Sequence, residues 1–325
     1  MKDVQLKMLE RAKELLESGA VARVIGWKKG EFLYDVSPAS FESVEELKDF
    51  VYNPFCGANL SKYLIQISKK EGKTAVFLKP CDTYSFNQLV KEHRIVRENV
   101  HVIAVECLGK LDAEKIKANG VSLMQDVETE DGQVKITTAY GETVLNEADV
   151  LLTKCKTCNK THQVKDEEII FRARPERADN RFEEVEKLEK MTEDERFAFW
   201  RSQLQKCIRC NACRNVCPAC SCVKCVFDNP ASTISAKAND DKFEEQLFHI
   251  IRAFHVSGRC TDCGECSRVC PQNIPLHLLN RKFIKDIDGM YGEYQAGETD
   301  EGKTPLTSYT EGDTEPNDVF NGEAK

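Results

Sequence analysis

Two segments of the 325-residue chain repeat one spacing of cysteines. The first runs Cys207-Ile-Arg-Cys210-Asn-Ala-Cys213-Arg-Asn-Val-Cys217-Pro218, and the second Cys260-Thr-Asp-Cys263-Gly-Glu-Cys266-Ser-Arg-Val-Cys270-Pro271. Three thiolates this close wrap three corners of an iron–sulfur cubane while nearby backbone amides point at its sulfurs. The fourth cysteine lies too far along the chain and serves the other cubane, and proline ends the loop. One 4Fe-4S cluster is therefore expected on Cys207, Cys210, Cys213 and Cys270, and a second on Cys260, Cys263, Cys266 and Cys217. Zinc also accepts four thiolates, but two copies that both close on Cys-Pro favour cubanes.

Eight further cysteines bring the total to 16. Cys220, Cys222 and Cys225 fall within PACSCVKC. They are either small buried hydrophobes or three ligands of an additional cluster that takes its fourth from elsewhere. Cys81 follows the apolar run TAVFL, Cys107 follows VHVIAVE, and the pair Cys155 and Cys158 follows VLLT. In an open parallel sheet the carboxyl ends of the strands line the ligand crevice. Cys81, Cys107, Cys155 and Cys158 are therefore expected to form a third four-thiolate site, the alternatives being buried singletons and a dithiol. Cys56, Cys220, Cys222 and Cys225 remain as a possible fourth set, and Cys56 could exchange with Cys81 or Cys107.

The elements that must position these thiols are legible in outline. Apolar residues at helical spacing predict an amphipathic helix over 3–17. Residues 21–36 predict a hairpin turning at Lys28-Lys29-Gly30. Helical patterns at 59–70, 85–94 and 112–119 alternate with the apolar runs 74–78 and 100–106, and 121–152 is β-rich. This predicts an α/β N-terminal domain with a partly parallel sheet, at 1–171. A charged connector at 172–196 leads to an α-helical, bacterial-type two-cluster ferredoxin domain at 197–289. Gly72-Lys73-Thr74 is no phosphate loop, because position 67 is Ile and a strand follows; a Rossmann fingerprint is also missing.

The net charge of -8 is local. Residues 290–325 carry nine Asp/Glu against two Lys, and the rest of the chain is near neutral. This acidic tail has few large apolar residues and is expected to be disordered or laid against a partner. No basic footprint for nucleic acid is present. No apolar run approaches the length of a membrane span, and the charged N-terminus is unlike a signal peptide. A cytoplasmic location is expected, where cysteines serve metals more than disulfides. His249 and His255, six apart, fall on different helix faces and are read as ordinary helix residues, one of them able to hydrogen-bond near a cluster. Arg209, Arg214, Arg252, Arg259 and Arg268 flank the cubanes, either as solvated charges or as cations that raise cluster potentials. Phe197, Phe199 and Trp200 are expected in a core.

Between residues 50 and 285 the chain resembles the beta subunits of coenzyme F420-dependent hydrogenases and formate dehydrogenases. It is more similar still to the related iron–sulfur subunits that accompany heterodisulfide-reductase-like and formate dehydrogenase complexes in anaerobes. The resemblance rests on NPFCGANLSKYL (53–64), KPCDTYSFNQL (79–89), VIAVECLG (102–109), CKTC (155–158) and the segments 191–225 and 249–283 around the two cysteine runs. It implies an electron-transfer subunit, with no substrate site of its own, inside a larger complex. Its partners would be flavin-, molybdenum- or tungsten-, or NiFe-containing subunits. It also implies an alternative in which FAD exchanges hydride with F420 or NAD(P) and passes single electrons to the clusters. KPCD stands where those flavin-binding relatives have a Gly-Thr-Pro-Cys type of turn.

Overall fold

The computed structural model describes residues 2–158, 163–170, 181–229 and 242–306. Part of the expected connector (172–180) and most of the expected tail (307–325) lie outside the described residues. The chain opens with α1 (Lys2–Glu17), whose Val4, Met8, Ala12 and Leu15 are buried at helical spacing. Then come β1 (Arg23–Lys29) and β2 (Val36–Phe41), paired antiparallel from Val24↔Phe41 to Lys29↔Val36. The hairpin exists, but its connection is 30–35, not 28–30. Gly30 N donates to Asp35 O (2.6 Å), and a Cβ on Gly30 would lie 2.0 Å from Asp35 Oδ2. β2 contains Pro38, which an edge strand tolerates, and it forms the sheet edge.

Helix α2 (Leu64–Ile67) is all that forms α-helically in the 59–70 segment, preceded by a 3-10 turn at Ser61–Tyr63. Asn59 Oδ1 accepts from Ser61 N (2.9 Å) and Ser61 Oγ donates to Asp82 O (2.6 Å). These bonds hold the segment as turns against the next helix. β3 (Thr74–Leu78) is buried throughout, as a central parallel strand requires. α3 (Pro80–Lys91) begins five residues before the expected start because Pro80 occupies its first helical position, where proline's missing N–H costs nothing. β4 (Val100–Val105) follows, then α4 (Ala113–Ala118), capped by Asp112.

β5 (Met124–Glu130), β6 (Gln133–Thr138) and β7 (Gly141–Asn146) form a separate antiparallel meander. Asp131 and Gly132 both have positive φ (48° and 76°), the combination that a two-residue hairpin demands. Two short helices, α5 (Glu147–Val150) and α6 (Thr153–Lys156), lead to β8 (Glu168–Ile170). The main sheet has order β2-β1-β3-β4-β8; only β1–β2 is antiparallel. The expected mixed α/β class with parallel strands is therefore observed.

The remainder is helical: α7 (Glu183–Glu189), α8 (Glu193–Leu204), α9 (Ala212–Val216), α10 (Lys242–His255), α11 (Glu265–Arg268) and α12 (Leu276–Tyr291). Phe199 and Trp200 pack with Val185, Leu188 and Leu278, whereas Phe197 is 59% exposed and belongs to no core. Residues 294–300, expected as part of an unattached tail, pack on the chain itself. Ala296 is buried, Gly297 abuts the Tyr84 backbone, and Lys165 pairs with Asp300 (2.7 Å).

Candidate iron-sulfur sites

The two cysteine runs adopt one backbone path twice. Arg209 and Asn211 in the first loop have φ of 54° and 61°; Asp262 and Gly264, at the matching positions of the second, have 56° and 65°. Left-handed residues alternating with right-handed ones turn successive N–H groups into one concavity, an arrangement that holds anions and iron–sulfur groups. Arg209 N donates to Cys207 Sγ (3.3 Å), and Asp262 N does the same for Cys260. After each Cys-Pro the chain turns identically: Cys220 N bonds Cys217 O (3.1 Å) and Asn273 N bonds Cys270 O (3.0 Å). The short helices α9 and α11, one from each loop, pack on each other.

The fold brings the crossed sets together. Cys207 and Cys270 pack with Cys213, and the thiols of Cys270 and Cys210 act electrostatically on Cys213. Cys217 packs with Cys260 and is an electrostatic neighbour of Cys260, Cys263 and Cys266. A hydrogen bond from Cys220, with help from Arg252, pulls the Cys217 thiol down to about 6 against its burial. Arg252 itself is 2% exposed, and its Nε and Nη1 have no protein partner. Burial works against its charge, but the thiols of Cys266, Cys217, Cys213 and Cys220 outweigh it and raise its pKa. A buried cation with unpartnered donors, among thiols from both loops, fits an anionic, sulfide-bearing cluster. Such clusters, when bound, accept and release single electrons. Among the described residues, no three or more His, Cys, Asp or Glu close around the position of a single metal ion.

In the N-terminal domain, Cys81 lies in the first turn of α3 just beyond β3, and Cys107 two residues beyond β4. These are the carboxyl ends of adjacent parallel strands, Leu78 pairing with Ala104. Cys155 is in α6, not at a strand end as its VLLT prefix had suggested. A bridge between Leu111 and Leu151, continued by Leu152 N to Lys110 O (2.8 Å), carries it back to the Cys107 loop. Cys155 neighbours Cys107 and Cys158, and Cys158 neighbours Cys81. Burial pushes the Cys155 thiol up to about 11, with Lys154 opposing.

Cys56 also belongs to this region. It is fully buried, accepts from Asn53 N (3.3 Å), and neighbours Lys110, Lys79 and Cys107. Cys220, Cys222 and Cys225 line a different cavity, of about 390 Å³, and Cys56 is not among its lining residues.

Sequence reasoning missed the buried cations of this crevice. Lys79 Nζ stands 4.4 Å over the Trp27 ring and bonds Asp82 Oδ2 and Ala58 O, both at 2.7 Å. Lys110 Nζ stands 3.9 Å over the Tyr52 ring and bonds Asn53 O (3.0 Å). Burial lowers the Lys110 pKa, against the thiols of Cys107 and Cys56. Buried lysines beside several thiols offset the negative charge of a thiolate-held cluster, so the donor set fits one here too. Their closeness in sequence to Cys81 and Cys107, two residues before the one and three after the other, was the available signal.

The two domains meet at the second loop. Lys154 Nζ pairs with Glu265, between Cys263 and Cys266, and bonds Gly57 O (2.7 Å). Glu265 is fully buried and also takes Arg268 Nε (2.7 Å) and Asn59 N (3.2 Å). Burial would raise the Glu265 pKa, but Lys154 and Arg268 hold it well below the usual carboxylate range. Arg281 bridges Asp262 (2.8 Å) to Thr157 (2.7 Å), inside the Cys155–Cys158 pair. Ser85 of α3 meets Thr261 (2.9 Å).

Residues 203–274 match the 4Fe-4S dicluster domain family. The chain is 25% identical over 336 aligned residues to the F420-dependent formate dehydrogenase subunit beta of Methanocaldococcus jannaschii, covering 85% of this chain and 88% of that one. The chain is thus similar to the beta subunits of F420-dependent formate dehydrogenases. A second relative, the F420-dependent formate dehydrogenase 1 subunit beta of Methanococcus maripaludis, is 25% identical over 278 residues, 66% of this chain and 72% of that one. A candidate ferredoxin of Sinorhizobium fredii is 34% identical over 79 residues, 24% of this chain and 75% of the ferredoxin. The family resemblance therefore extends over both the α/β domain and the dicluster domain. Among the described residues no helix is long and apolar enough to cross a membrane.

Proposed function

We propose that this chain is an iron–sulfur electron-transfer subunit of a multi-subunit oxidoreductase of the formate dehydrogenase or hydrogenase type. It relays single electrons between partners that hold the catalytic centres. Two 4Fe-4S clusters sit on the crossed ferredoxin sets, and a third on Cys81, Cys107, Cys155 and Cys158. The observation that carries this reading is the buried seam of Lys154, Glu265 and Arg281. It joins the N-terminal thiol site to the second ferredoxin loop through buried ion pairs and a hydrogen bond, which gives an electron a buried path between the domains. The order is then N-terminal site, second cubane, first cubane.

Replacing Cys263 with Ala in the assembled complex tests the order. Electron flow between the N-terminal site and the first cubane should stop while the partners still bind; unaltered flow would refute a serial relay. The similarity to two F420-dependent formate dehydrogenase subunits favours a second reading in which FAD in the α/β domain converts hydride into single electrons. Acid release of flavin from the freshly purified complex decides between them; no releasable FAD removes the second reading.

A further inference from the structure

The cavity beside the ferredoxin loops has the makings of a ligand sphere that the cysteine pattern alone did not complete. Cys220, Cys222 and Cys225 line it, and so do Arg252, Lys62 and His255. Cys56, the thiol left over by counting, is held elsewhere by Asn53 N at 3.3 Å and by the Lys110 and Lys79 charges. His255 instead lines the same cavity as the three thiols. It is the last residue of α10, three beyond Arg252 and hence on the same helix face. Arg252 faces Cys220. The His255 ring lies 6.3 Å from that of Phe227, in the turn that directly follows Cys225. No described hydrogen bond occupies its ring nitrogens.

We propose that Cys220, Cys222, Cys225 and His255 ligate a further 4Fe-4S cluster, with imidazole in place of the fourth thiolate. A cubane brings four iron and four sulfide atoms and needs room, which a cavity of about 390 Å³ supplies. The surroundings suit its negative charge. Arg252, more than nine-tenths buried, lines the cavity and neighbours Cys220, and Lys62 neighbours Cys220 and Cys222. Imidazole is an established substitute for thiolate in iron–sulfur ligation and raises the potential by withholding one negative charge.

This inference rests on the iron–sulfur reading of the dicluster domain, and the test separates the two. The full chain is purified anaerobically, and iron, zinc and electron paramagnetic resonance spectra are measured for wild type and variants. Replacing Cys220, Cys222 and Cys225 together with Ala should remove about four iron per chain and one reduced-cluster signal. Replacing Cys56 with Ala should leave that signal in place. In His255→Ala the cluster keeps three thiolates, and ferricyanide should strip its unprotected iron. The dipositive cubane then releases one ferrous ion and gives one electron to ferricyanide, leaving a paramagnetic three-iron cluster with a single positive charge that ferrous ion and a reductant rebuild. Wild type and His255→Cys should both resist this conversion. The proposal is overturned if the triple variant keeps its iron, if zinc replaces it, if His255→Ala resists ferricyanide like wild type, or if Cys56→Ala abolishes the signal. Absence of iron from the ferredoxin loops would instead defeat the underlying reading.

Discussion

Arg252 sits where thiols of both ferredoxin sets converge: Cys213 of the first, Cys217 and Cys266 of the second. The residue is 2% exposed and has no carboxylate partner among the described ion pairs, which makes its charge available to the clusters. A thiol contact places a cubane centre roughly 7 Å from the charge. At an effective dielectric near 20 the attraction is about 2.4 kcal/mol for each electron added. At 59 mV per tenfold in a one-electron couple, that corresponds to about 100 mV. Arg252→Gln should therefore lower the midpoint potentials of both ferredoxin cubanes by about 50–100 mV, because a lost positive charge disfavours reduction. Arg252→Lys, which keeps the charge and loses the fork of donors, should shift them less. The assay is redox titration of the anaerobic complex followed by electron paramagnetic resonance, with iron content as the control for cluster occupancy. A shift confined to one cubane, an upward shift, or unmoved potentials at full iron content would refute a shared cation between the clusters.

Other expectations follow from the same contacts. Cys210→Ala and Cys263→Ala should each cost one cubane, seen as a loss of about four iron per chain, while partner subunits still co-purify. Glu265→Gln leaves Lys154 buried beside a neutral amide; removing one member of a buried ion pair costs about 3–5 kcal/mol. It should bring loss of the visible cluster absorbance to a lower guanidinium concentration, whereas an unchanged midpoint would deny the seam its role. Gly264→Ala would drive a Cβ to 2.4 Å from Lys154 Cβ and should weaken domain docking by about 1–3 kcal/mol, read out as faster proteolysis between the domains. Deleting residues 296–325 removes Ala296 and Asp300 from their contacts on the α/β domain. That deletion should lower thermal stability of the isolated subunit; no change would show these contacts to be passive.

The cysteine runs declare their chemistry by spacing alone because that chemistry is local. Three thiolates spaced two residues apart, with a proline closing the loop, can wrap a cubane whatever surrounds them. The parallel strands 74–78 and 100–105 are equally plain as apolar runs, and they put Cys81 and Cys107 at strand ends as expected. Three-dimensional packing decided the rest. Counting left Cys56 with Cys220, Cys222 and Cys225 as a possible set, open to exchange with Cys81 or Cys107; the fold holds Cys56 near Lys110, Lys79 and Cys107 and puts His255 on the cavity that the other three thiols line. A one-dimensional pattern of thiols cannot show that a helix thirty residues downstream lines the same cavity. The matching positions Asn211 and Gly264 make the same point. Both need the left-handed backbone that a cluster loop imposes, and Asn tolerates it. Only the second is pressed against Lys154, so only there does the tertiary contact between domains demand that no side chain be present.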